Sequence, residues 1–94
     1  MKHEKWFEYN GQKIDLALVT RLYPAALIHA GGECASVSLE WADMKADKIK
    51  LESYILVFDF DPVGEVPYNR VEYRFESKEE LFGAMQRVAE IINT

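Results

Sequence analysis

The chain has 94 residues, 49% hydrophobic and 29% charged, with 16 acidic against 11 basic side chains and a formal net charge of -5. That composition excludes an intrinsically disordered chain and predicts one globular domain over residues 1–94. It also speaks against direct binding of nucleic acid, which draws on clustered Lys and Arg. Cys34 is the only cysteine, so no intrachain disulfide is expected, and no apolar run approaches the roughly 20 residues of a membrane span. With a polar N-terminal stretch besides, the expectation is a cytoplasmic protein without a membrane partner.

Near the N-terminus, Trp6 to Tyr9 and Gln12 to Ile14 flank Asn10-Gly11, the strongest dipeptide signal for a tight hairpin turn. Asp15 to Leu22 fits a short helix or turn capped by Asp15 and ending before Tyr23-Pro24, because proline disfavours helical geometry in the residue before it. A second hairpin is expected around Gly31-Gly32. Its first arm is the apolar run from Ala25 to Ala30, and in its second arm Ala35, Val37, Leu39 and Trp41 alternate with Ser36, Ser38 and Glu40. Trp41 to Lys48 is polar and reads as a loop with room for one helical turn.

Ile49, Leu51, Ile55 and Val57 alternate with Lys50, Glu52, Tyr54, Leu56 and Phe58. This strand starts amphipathic and becomes apolar on both faces, which predicts a central place in the sheet. Asp61 to Pro67 carries turn residues. Arg70 to Glu76 alternates charged and apolar residues, with Val71, Tyr73 and Phe75 on one side. Ser77-Lys78-Glu79-Glu80 is a capping box, and Leu81, Ala84, Met85, Val88, Ile91 and Ile92 then form the apolar stripe of a helix over about 77–93. Gly83 within that stripe suggests a close approach to the sheet.

These elements predict an α+β fold: an antiparallel sheet of about five or six strands with the C-terminal amphipathic helix packed on one face. A strand-rich barrel closed by a final helix, as in pleckstrin-homology-like domains, is the alternative topology.

The segment Ile55 to Val63, Ile-Leu-Val-Phe-Asp-Phe-Asp-Pro-Val, resembles the first motif of haloacid-dehalogenase-type phosphatases. The resemblance implies Asp59 as nucleophile and Asp61 as general acid/base, with magnesium. That family also needs a parallel sheet and a downstream Ser/Thr, Lys and further carboxylates. Only one amphipathic strand and a helix follow here, so the resemblance stops at the motif. A calcium loop starting at Asp59 fails as well, with Val63 and Arg70 where oxygen ligands belong.

Asp59, Asp61 and Glu65 remain candidate ligands for a hard divalent cation, because their oxygens lie close in sequence. The blander reading has Asp61 capping the turn before Pro62. His29 and Cys34 bracket the Gly31-Gly32 turn, but two soft ligands are too few for structural zinc, and a catalytic Cys-His pair would have only Glu33 nearby to orient it. His3 is a weaker candidate near the N-terminus. Trp6 and Tyr54 share a parity with polar neighbours, which predicts an outer face and an interaction surface.

No cofactor is expected. The function expected is that of a small acidic non-enzymatic interaction or regulatory module, binding a protein partner or a second copy of itself. One form of it is an inhibitor of a nucleic-acid-binding protein. The alternative is a divalent-metal-binding domain or metal-dependent enzyme built on Asp59, Asp61 and Glu65.

Overall fold

Asn10 and Gly11 take φ of 51° and 80°, the left-handed pair that a two-residue hairpin turn requires. They join β1 (Trp6–Tyr9) to β2 (Gln12–Asp15) with Tyr9 opposite Gln12. The computed structural model describes residues 5–65 and 68–93; His3 and the Val66-Pro67 part of the expected loop lie outside them. After β2, the Asp15 carboxylate accepts from the Ala17 backbone N–H at 3.0 Å and caps a single 3₁₀ turn, Leu16–Leu18. The expected turn is therefore present, but it is shorter than Asp15 to Leu22, and the next strand begins before Tyr23-Pro24.

That strand, β3 (Arg21–Ala30), turns through Gly31-Gly32 into β4 (Glu33–Val37). β4 covers only Ala26 to Ala30, so Pro24 sits where β3 has no neighbour on that side, a position a strand proline tolerates. The expected continuation of β4 through Leu39 and Trp41 does not occur. Ser38 accepts from the Trp41 N–H at 3.1 Å and starts a short helix, α1 (Leu39–Met44). A Ser cap outweighs three residues of alternation that have no strand beside them.

β5 (Lys50–Asp59) pairs with β3 on one side and with β6 (Arg70–Phe75) on the other, all antiparallel, which gives the strand order β4-β3-β5-β6. β5 is central, as its apolar second half predicts. The two-stranded β1-β2 sheet stands apart from this four-stranded sheet. The register of β5 against β3 slips between Leu27 and Ile28: Leu27 faces Ser53, but Ile28 faces Leu51. A bulge of this kind reverses the parity of the strand that carries it. Tyr54 shares the face of Leu56 and Phe58 by plain alternation and packs against the core, while the bulge turns Lys50, whose parity suggested an outer face, to the opposite side; the outer-face expectation does not hold for Tyr54.

Ser77 accepts from the Glu80 N–H at 3.2 Å and opens α2 (Lys78–Ile92), while the Glu80 carboxylate reaches back to the Glu76 N–H at 3.4 Å. Leu81, Ala84 and Val88 are fully buried and Met85 and Ile91 partly so, but Ile92, expected in the stripe, is exposed. The buried stripe, together with Phe7, Ile14 and Leu16 from the first hairpin and 3₁₀ turn, covers Leu56, Phe58, Tyr73 and Phe75. Phe7 stacks on Phe58 at 5.8 Å between centroids, and Phe58 meets Tyr73 edge-on at 5.6 Å. α1 packs through Ala42 on Ala26 and Ile28.

Both helices and the first hairpin thus lie on one face of the sheet. The Lys78 ammonium joins the helices by reaching both carboxylate oxygens of Asp43, at 2.8 and 2.7 Å. Gly83 is not a close approach to the sheet. A Cβ placed there would meet only the Arg87 guanidinium, at 3.9 Å.

Candidate interaction face

The other face of the sheet carries Tyr23, Ala25 and Leu27 from β3 and Ile55 and Val57 from β5, and among the described residues this cluster contains sheet residues alone. Ile55 and Val57 are 0% and 1% exposed although neither helix packs on them. Ala25 and Arg74 flank Ile55 in the register, and Tyr23 and Glu72 flank Val57. Long charged side chains bury their stems along apolar neighbours in this way and leave their heads in water. The face is therefore a short apolar strip framed by Arg21, Arg70, Glu72 and Arg74.

Asp59 ends the strip. Its side chain is buried, and its Oδ1 lies 3.3 Å from Nε of Arg70, its register partner on β6. The same guanidinium crosses β5 and donates through Nη2 to the Tyr23 hydroxyl on β3 at 2.8 Å, while Nη1 stands 3.4 Å from Glu72. Arg21, opposite Asp59 on the β3 side, holds its guanidinium 6.0 Å from the centre of the Tyr23 ring. The Asp59 backbone carbonyl accepts from the Thr20 N–H at 2.8 Å and from the Thr20 hydroxyl at 3.0 Å. Strand register thus gathers Tyr23, Asp59, Arg70 and Glu72 from three strands into one hydrogen-bonded group, with Arg21 beside it over the Tyr23 ring.

The carboxylates of the sequence-derived metal candidates Asp59 and Asp61 turn to different partners. Asp59 turns to Arg70, whereas Asp61 accepts from the backbone N–H of Asn69 at 2.6 Å and from its side-chain amide at 3.0 Å, closing the loop between β5 and β6. Glu65 is exposed in that loop, and its backbone N–H donates to Pro62 at 3.1 Å. Among the described residues, no group of three or more His, Cys, Asp or Glu side chains is placed to hold a metal ion. His29 and Cys34 are direct cross-strand partners, as the hairpin predicts, and Cys34 is exposed. Trp6 is 43% exposed on β1.

A depression of about 110 Å³ on the covered side is lined by Ala42, Asp43, Ala46, Ile49, Leu51 and Tyr54. Its one ionisable carboxylate, Asp43, is already held by Lys78. Sequence reasoning identified Ile55 and Val57 as apolar but missed the face they form. The available signal was the continuous run Ile55 to Phe58, which says that both faces are apolar without saying which one receives the helices.

No described helix is long and apolar enough to cross a membrane. Comparison of the chain with protein-family models, with curated proteins and with solved structures finds no match.

Proposed function

We propose that this chain is a non-enzymatic protein-interaction module that presents the open face of its four-stranded sheet to a protein partner. The observation that carries this reading is the open sheet face, where no described helix or hairpin packs: Tyr23 and Leu27 stay part-exposed beside the buried Ala25, Ile55 and Val57, and Arg21, Arg70, Glu72 and Arg74 frame them. Tyr and Arg are enriched among the residues that dominate binding energy, and this face offers Tyr23 with Arg21, Arg70 and Arg74 around it. A second reading, inhibition of a nucleic-acid-binding protein, draws on the chain's net charge of -5 rather than on the Arg-framed face and predicts binding that weakens steeply with salt.

The test compares the wild-type chain with a Tyr23→Glu/Leu27→Glu variant as bait in lysate of its own host, with both baits first shown to melt cooperatively. The proposal expects one or more proteins retained by the wild type and lost by the variant. Identical sets of retained proteins would overturn it.

A further inference from the structure

β6 is the last strand of the sheet, bonded to β5 on one side, and among the described residues no backbone hydrogen bond leaves its outer side between Val71 and Phe75. Edge strands are usually protected against pairing with another chain. Here the residues along the edge read Arg70-Val71-Glu72-Tyr73-Arg74-Phe75-Glu76: Arg70, Glu72 and Arg74 stand on the open face, and Glu76 follows directly after the strand, so the charges alternate as plus, minus, plus, minus. This pattern is its own complement when the strand is reversed about Tyr73.

We propose that two copies of this chain associate through β6, antiparallel and centred on Tyr73, to form one continuous eight-stranded sheet. In that register Arg70 stands opposite Glu76 of the second copy and Glu72 opposite Arg74, and the two-fold axis repeats both pairs. All four pairs join opposite charges, with the two Glu72–Arg74 pairs on the open face and the two Arg70–Glu76 pairs at the ends of the seam. On the covered face Val71 meets Phe75 and Tyr73 meets Tyr73, the apolar and aromatic cross-strand pairs that stabilise sheets.

Neighbouring registers are excluded by the same side chains. Sliding by two residues either way sets Glu72 against Glu72 or Arg74 against Arg74. Sliding by one sets charged open-face residues against the core face. Arg74 and Glu76 have no ion pair within the chain among the described residues, so both charged heads are available to a second copy.

The opposite edge is a poorer candidate. β4 reads Glu33-Cys34-Ala35-Ser36-Val37, which carries one charge and specifies no register against itself. The β6 contact leaves the apolar strip uncovered, so it stands whether or not a further protein docks there.

The test is sedimentation equilibrium on the full chain and on two single variants, Glu72→Arg and Arg74→Glu, each first shown by thermal melting to be folded. The wild type is expected to reach twice its monomer mass of 10.9 kDa. Each single variant faces like charge with like and should associate roughly tenfold more weakly or worse. Mixed together, the two variants set Glu72→Arg against Arg74→Glu across the seam with opposite charges restored, so a heterodimer of wild-type strength is expected. A wild type that stays monomeric at every concentration tested would overturn the proposal. So would single variants that dimerise as well as the wild type, or a mixture that fails to recover association.

Discussion

Arg70 holds Asp59 through a single contact of 3.3 Å, Nε to Oδ1, while the other carboxylate oxygen, Oδ2, is buried without a partner. A carboxylate this enclosed depends on its one cation. Replacing Arg70 by Met should destabilise the fold by about 1–3 kcal/mol, the penalty for leaving a buried polar group unsatisfied. Arg74→Met, which removes an exposed charge but keeps an apolar stem beside Ile55, should change stability by less than about 0.5 kcal/mol under conditions where the protein is monomeric. Urea denaturation of both variants checks this. Equal losses would mean that Arg70 contributes no more than a surface cation.

Alkaline solution should loosen the molecule. Burial raises the Tyr73 phenol above its ordinary value of 10.0, and the hydrogen bond from Lys78 to Asp43 raises the ammonium above 10.5. In both cases the unfolded chain releases its proton first, so stability is full below about pH 10 and falls as pH rises through the folded values. Thermal melts between pH 8 and pH 11 should show the decline, and Tyr73→Phe should reduce it. At neutral pH Tyr73→Phe should be neutral or mildly stabilising, since the hydroxyl is buried with no hydrogen-bond partner.

Gly83 sits in the middle of α2 with ordinary helical geometry and open space around its missing Cβ. Gly83→Ala should therefore raise stability by about 0.5–1 kcal/mol through helix propensity and reduced freedom of the unfolded chain. A loss of stability on chemical denaturation would mean that the helix packs more tightly at that point than the 3.9 Å approach of Arg87 implies.

Divalent cations offer a direct check on the Asp59, Asp61 and Glu65 reading. A ligand that binds only the folded state must raise the melting temperature. With Asp59 committed to Arg70 and Asp61 to Asn69, millimolar Mg²⁺, Ca²⁺ or Mn²⁺ should leave it unchanged. A reproducible rise abolished by Asp61→Asn would restore the metal reading.

The elements legible in the sequence are those specified by local chemistry. Ser77 with Glu80, Asn10-Gly11 and Gly31-Gly32 each specify backbone geometry within a few residues, and all three occur where expected. The α1 start carried the same kind of signal in Ser38, but the alternation of Leu39 and Trp41 obscured it. Tyr54 was misplaced because period-two reasoning assumes an unbroken strand, and the slip beside Ser53 reverses the faces. The group around Asp59 was out of reach for a different reason. Tyr23, Asp59 and Arg70 lie on three strands, and only the register brings them together.

The central seam between β3 and β5 joins residues 21–29 to 50–59, with β4 and α1 between them in the chain. Both hairpins can close over a few residues, but this seam must wait for a long loop to close, and such contacts form slowly. Until it does, Ile55-Leu56-Val57-Phe58 is a bare apolar strand of the sort that seeds aggregation. The charges of Glu52 and Asp59 on either side of it are then gatekeepers for the folding chain before they have any place in the finished sheet.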